Sequence, residues 1–159
     1  MSVERIHHVA YRCKDAKETV LWYQKHLGMD FVLAIAEDRV PSTHAPDPYM
    51  HVFLDAGGGN VLAFFELPNS PAMGRDEATP AWVQHIAFKV VGITDHTIFK
   101  SIYFFDPNGH RLELACDTAT PEMNAKLDEV KWAMLDEWAK TRRAPKHAAW
   151  MHEQEFAGA

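Results

Sequence analysis

Ile6-His7-His8-Val9-Ala10-Tyr11-Arg12-Cys13 lines up, position by position, with Val83-Gln84-His85-Ile86-Ala87-Phe88-Lys89-Val90. Each pair matches in chemical type, and the third position is His in both. A repeat reports architecture before any single element does. Both copies are rich in β-branched and aromatic residues, so both read as strands. Side chains alternate faces along a strand. His8, Ala10 and Arg12 therefore share one face, with Val9, Tyr11 and Cys13 on the other. The second copy puts His85, Ala87 and Lys89 on one face and Ile86, Phe88 and Val90 on the opposite one. The apolar faces are expected to pack on a layer, and the His faces to look into a site.

Working outward, a helix is expected after the first strand. Asp15 reads as its N-cap, with Glu18 three residues on. Val20, Tyr23 and Leu27 follow at helical spacing, and Gly28 is a suitable C-cap. Met29 to Ala36 reads as a strand and Glu37 to Pro48, with three prolines, as a loop. Tyr49 to Leu54 and Asn60 to Leu67 read as strands around the turn 55–59. The first module, 6–67, is thus strand, helix, strand, strand, strand. Asn69 to Pro80 is a linker.

The second module, 83–116, repeats this incompletely. Its first strand runs from His85 to Val91, but Gly92 follows at once where a helix and a strand are due. Strands resume at Thr97 to Phe105 and His110 to Ala115, joined by the turn Asp106-Pro107-Asn108-Gly109. Thr120 and Pro121 then open a helix. Its apolar stripe, Met123, Leu127, Val130, Met134, Leu135 and Trp138, reads as core or dimer packing. After Arg143 the sequence reads as weakly ordered. The expected fold class is α+β. Paired βαβββ modules over 1–117, the second incomplete, are followed by a C-terminal helix and tail over 118–159.

The bulk numbers bound the function. A chain of 159 residues can bury a core without disulfide staples. Its net charge of −6 includes no basic run, which argues against nucleic acid. Its two cysteines, Cys13 and Cys116, read as buried thiols of a reducing cytoplasm. The sequence shows no leader-like apolar stretch and no run near the roughly 20 residues that span a bilayer, so no membrane partner is expected.

The chemistry-bearing residues are few. Glu113 lies on a strand between Leu112 and Leu114, which point the other way. With His8 and His85 it makes two imidazoles and one carboxylate. That set leaves metal positions open on one side and is the ligand set of non-haem Fe(II) oxygenases. Taken singly, each residue has a plainer reading: a hydrogen-bonded core histidine, or a solvated carboxylate. The repeat-related placement of the two histidines favours the metal.

From Ile6 to Cys116 the sequence resembles the vicinal oxygen chelate superfamily, which includes glyoxalase I, bleomycin and fosfomycin resistance proteins, and extradiol ring-cleavage dioxygenases. The resemblance implies a cup-shaped mixed sheet built from two modules. It implies ligands on the first strand of each module and the last strand of the second, which here are His8, His85 and Glu113. Phe105-Asp106-Pro107-Asn108-Gly109-His110-Arg111-Leu112-Glu113 is similar to the family's approach to its final ligand. A longer match, from His96 through Ile102-Tyr103 and Asp106-Pro107 to Glu113, resembles the extradiol dioxygenases. It implies that His96 and Tyr103 border a bound catechol. The expectation is a metal-dependent dioxygenase for a catechol-like small molecule, with Fe(II), or alternatively Mn, Zn or Ni, in a homodimer.

Two features depart from that pattern. Asn60 stands where those enzymes carry a proton-shuttling His, and Asn cannot exchange a proton at neutral pH. His51, on the neighbouring strand, is a possible substitute. The short second module is the other departure. Glu66 raises a rival, because glyoxalase I places a fourth ligand near the end of this strand for lyase or isomerase chemistry. A third alternative is a resistance-type protein of the same fold that binds a small molecule without metal.

Overall fold

The computed structural model describes residues 3–74, 76–80, 82–90 and 99–143. They form β1 (Val9–Cys13), α1 (Ala16–Leu27), β2 (Asp30–Arg39), β3 (Pro46–Asp55), β4 (Val61–Glu66), β5 (His85–Lys89), β6 (Phe99–Phe105), β7 (Arg111–Asp117) and α2 (Pro121–Thr141). The sheets are ordered β1-β4-β3-β2 and β5-β7-β6. The fold is α+β, and the first module is the expected βαβββ unit. The chain divides into two compact units, Met1–Ile86 with Phe104–Leu112, and Ala87–Tyr103 with Glu113–Ala159.

In the first unit, β1 runs parallel to β4, while β4, β3 and β2 are mutually antiparallel. Opposed residues share a face. Tyr11, Phe64 and Val52 form one cross-strand row, and Ala10, Ala63 and Phe53 form the next on the other face. The Tyr11 face is the core: Leu54, Leu62 and Phe64 are fully buried there. Burying each is worth about 1.5–3 kcal/mol. Helix α1 supplies Tyr23, whose ring lies 5.1 Å from that of Phe64. Asp15 Oδ1 caps this helix by accepting from the Glu18 amide at 2.7 Å. Gly28 ends it at φ 64°, a left-handed conformation that costs glycine little.

Strand β1 starts at Val9 rather than Ile6, because its pairing with β4 begins at Leu62. His8 therefore stands at the mouth of the strand. The expected 37–48 loop is shorter than the prolines suggest, since β2 and β3 stay paired as far as Arg39 and Pro46. Pro46 and Pro48 are tolerated because β4 pairs with β3 only from Met50 onward, so their missing N–H groups break no ladder bond on that side.

The turn between β6 and β7 also belongs to the first unit, and its side chains explain its sequence. Asp106 accepts from the Tyr23 hydroxyl at 3.0 Å and from the amides of Asn108 and His110 at 2.9 and 2.8 Å. Asn108 donates to Thr19 Oγ1 at 3.0 Å and accepts from the Lys14 amide at 2.8 Å. Gly109 adopts φ 90°, which an L side chain rarely does. His110 packs on Tyr11 and meets the Arg12 carbonyl at 2.6 Å. The Asp-Pro-Asn-Gly-His stretch thus fastens a distant hairpin turn to α1 and β1.

In the second unit, Glu113 and Cys116 of β7 are buried. Along β5, of which His85 and Ile86 belong to the first unit, His85, Ala87 and Lys89 are exposed while Ile86 and Phe88 are half-buried, as the alternation requires. Thr120 caps α2 by accepting from the Met123 amide, with Pro121 in the first turn. No α2 residue is buried, so its apolar stripe is not core packing among the described residues. Leu135, for example, is 56% exposed. No described helix is long and apolar enough to cross a membrane. The Val91-Gly92 junction, His96 and residues 144–159 lie outside the described residues.

Candidate functional site

Helix α1 covers one face of the first unit's sheet, and His8, Arg12 and His51 lie on the other. Ala10 and Arg12 stand on this second face with Ala63, Phe65, Phe53 and His51, by register. His8 joins them at the strand mouth, with its ring 5.9 Å from that of His51 and 5.6 Å from that of Phe53. Its Nδ1 lies 2.8 Å from His7 Nδ1.

His51 is the least expected member. It is only 8% exposed, stacked on Phe65 at 3.6 Å, and its buried Nε2 has no hydrogen-bond partner. Burial, and then the neighbouring His8, hold its pKa below the usual histidine value. The sequence offered His51 as a substitute for the missing His at position 60, and the register puts it on the His8 face. Asn60 itself is a turn former, donating to the Gly57 carbonyl at 2.9 Å.

Glu66 lies on the opposite face. It pairs with Cys13 in the row two beyond Phe64, on the helix-covered side. Its carboxylate accepts from the Ala16 amide at 2.7 Å, satisfying one of the orphan donors at the start of α1. By register, Glu66 and His8 are thus on opposite faces of the sheet.

His85 lines a cavity of about 670 Å3 together with Lys14, Asp76, Gln84, His110 and Arg111, a lining that does not include His8. Glu113 is 4% exposed, so it is buried and not solvated. Tyr103, on β6, is 47% exposed. Both belong to the second unit. Among the described residues no group of three His, Cys, Asp or Glu side chains stands close enough to hold a metal ion. The donor types of His8, His85 and Glu113 nevertheless suit a first-row divalent metal. Lys89, which shares a strand face with His85, pairs with Asp117.

Residues 5–114 match the Glyoxalase/Bleomycin resistance protein/Dioxygenase superfamily. The chain belongs to that superfamily. Among solved structures it is similar to a glyoxalase family protein from Bacillus cereus, with a TM-score of 0.60 and 10% identity, covering 75% of this chain and 97% of that one. It is also similar to a glyoxalase family protein from Enterococcus faecalis, at TM-score 0.50 and 25% identity, covering 70% and 97%. The trypanothione-dependent glyoxalase I of Leishmania major matches at TM-score 0.52 and 20% identity, covering 86% and 99%. No curated protein matches the chain by sequence. In this superfamily setting, the first module is whole, and the face of its sheet opposite α1 is the place to look for chemistry.

Proposed function

We propose that this superfamily member is a metal-dependent dioxygenase that opens a catechol-like ring, with His8, His85 and Glu113 as ligands. The observation that carries the proposal is the repeat. Two strands of one pattern each present a His at the same position, and a strand ending the second module carries a buried Glu. A divalent metal held by this set, Fe(II) before Mn, Zn or Ni, supplies Lewis acidity and electron transfer between the ring and dioxygen. In extradiol cleavage both atoms of dioxygen enter the ring-opened product, so no outside reductant is consumed. His96 and Tyr103 are proposed to border the substrate, Tyr103 by a hydrogen bond from its hydroxyl to a substrate oxygen. His51 and Arg12 contribute polar groups on the His8 face.

The test is anaerobic purification with metal analysis, then oxygen uptake by Fe(II)-loaded protein over small and biaryl catechols. Catechol-dependent uptake that is lost in Tyr103→Phe with iron still bound supports the proposal. Full iron loading with no uptake across the panel would sink it.

The glyoxalase-like alternative is weakened by Glu66, which caps α1. A metal-free binding protein is favoured by one observation, the lack of a three-donor group among the described residues. Protein that takes up no metal yet binds small molecules would establish that second reading.

A further inference from the structure

We infer that the face of the first unit's sheet opposite α1 seats a planar aromatic carboxylate, held by the Arg12 guanidinium against the rings of Phe65 and Tyr49. The inference rests on the proposed function only in taking this face as the substrate's.

Three observations meet here. The first is a cavity of about 630 Å3, lined by Ala10, Arg12, Tyr49, Phe65, Val40 and Asp47 among others. It lies wholly within the first unit. The second is one cross-strand row. Phe65 pairs with Arg12 on one side and with His51 on the other, so the three side chains stand together on one face. The third is a pair of unmet polar atoms in that row. Arg12 Nε and His51 Nε2 are both buried and both without a hydrogen-bond partner. Buried polar atoms are nearly always satisfied, and Arg12, whose side chain lines the cavity, is the orphan that points to a polar partner binding there; His51 stands in the same row but outside the cavity lining.

The chemistry of the row defines that partner. Arg12 makes no ion pair among the described residues; its Nη2 donates to the Pro71 carbonyl at 2.6 Å. A guanidinium presents a planar fork of donors matched to a carboxylate, which can replace a single carbonyl acceptor with two charge-assisted bonds. Phe65 is held in place by its stack on His51, at 18° between planes, and Tyr49 lies 5.7 Å from it at a tilt. Two fixed aromatic rings beside a cation favour a flat ring over a flexible chain. Asp47 lines the same cavity and can only accept while ionised, so it selects against a second anionic group on the ligand.

The experiment is isothermal titration of the full-length, metal-free chain with benzoate, benzamide and cyclohexanecarboxylate. Benzoate is expected to bind saturably at one site, with benzamide and cyclohexanecarboxylate each weaker by about tenfold or more. Arg12→Met should weaken benzoate by a similar factor and leave benzamide unchanged, with Arg12→Lys between the two. Equal binding of benzoate and benzamide by the native chain, or no saturable benzoate binding, overturns the inference. That comparison stands even if the Arg12 variants fail to fold. Benzoate is not a catechol and no metal is present, so failure here leaves the oxygen-uptake test intact, and failure there leaves this one intact.

Discussion

Tyr23 and Asp106, separated by 83 positions in sequence, share a buried hydrogen bond of 3.0 Å. Both are almost wholly inaccessible, and the bond joins the middle of α1 to the turn before β7. Burial above all, and then the Asp106 charge, raises the phenol's pKa, so Tyr23 stays protonated and remains a donor. Removing it should cost stability without touching the His8 face. Tyr23→Phe is expected to lower unfolding free energy by about 1.5–3 kcal/mol, the range for a bond to a charged group. Asp106→Ala should cost more, because Tyr23 and the amides of Asn108 and His110 all lose their acceptor. Urea titrations would measure both. An unchanged midpoint in Tyr23→Phe would mean that the bond adds nothing to stability.

Glu66 offers a contrast between structural and catalytic carboxylates. Its bond to the Ala16 amide places a negative charge at the positive end of α1. Glu66→Gln keeps an acceptor but loses the charge, so a stability loss of about 0.5–1 kcal/mol is expected. Metal content should not change. Loss of metal in that variant, with the fold intact by circular dichroism, would restore the four-ligand, glyoxalase-like reading.

The first module was legible because its signals are local. Asp15, Glu18 and Gly28 bound a helix by capping chemistry, and the strand alternation sorted His8 from Tyr11 without any tertiary information. Both ends of the 37–48 stretch, 37–39 and 46–48, are strand, because proline counts against a strand only where a ladder bond is lost, and that depends on which neighbour is present. Glu66 could not be assigned from its distance to His85, whereas its parity relative to Ala10 and Ala63 decides the face. The roles of Asp106 and Asn108 were hidden for a different reason. A turn motif predicts a turn, but not that Tyr23 and Thr19 wait some 80 to 90 positions away to receive it. The α2 stripe shows the limit of periodicity: it identifies an apolar face, not what covers it.

Cys13 gives a pH-dependent expectation. Burial, the largest cause, pushes its thiol up to about 11, with the Glu66, Asp15 and Asp106 charges adding to it and a bond with Thr19 opposing it. The folded chain therefore holds this proton more tightly than the unfolded chain, whose thiol ionises near the ordinary value of 9.0. The stabilising contribution is whole below pH 9.0 and is lost as pH rises through about 11. Unfolding measured across this alkaline range should show a decline that Cys13→Ala flattens. Cys13 should also resist alkylation at neutral pH in the folded state and react once unfolded, since the thiolate is the nucleophile. Rapid alkylation of the native thiol would show that the site opens to solvent.

The repeat makes the sharpest demand on His8 and His85, because equivalent positions should have equivalent roles. Under the metal proposal, His8→Ala, His85→Ala and Glu113→Gln should each lower metal content by about tenfold or more, since each removes one of three ligands or its charge. His51→Phe should leave metal content near the native level, because His51 enters that proposal as a neighbour of the substrate and not as a ligand. Elemental analysis of the four variants, beside circular dichroism to confirm folding, separates the cases. Glu113 is buried at 4% exposure, so the isosteric Gln is used there to avoid a cavity. Loss of metal in His85→Ala with full retention in His8→Ala would break the equivalence that the two strands imply. The metal would then belong to the second copy alone, and His8 would be left as a polar group of the face that carries Arg12 and His51.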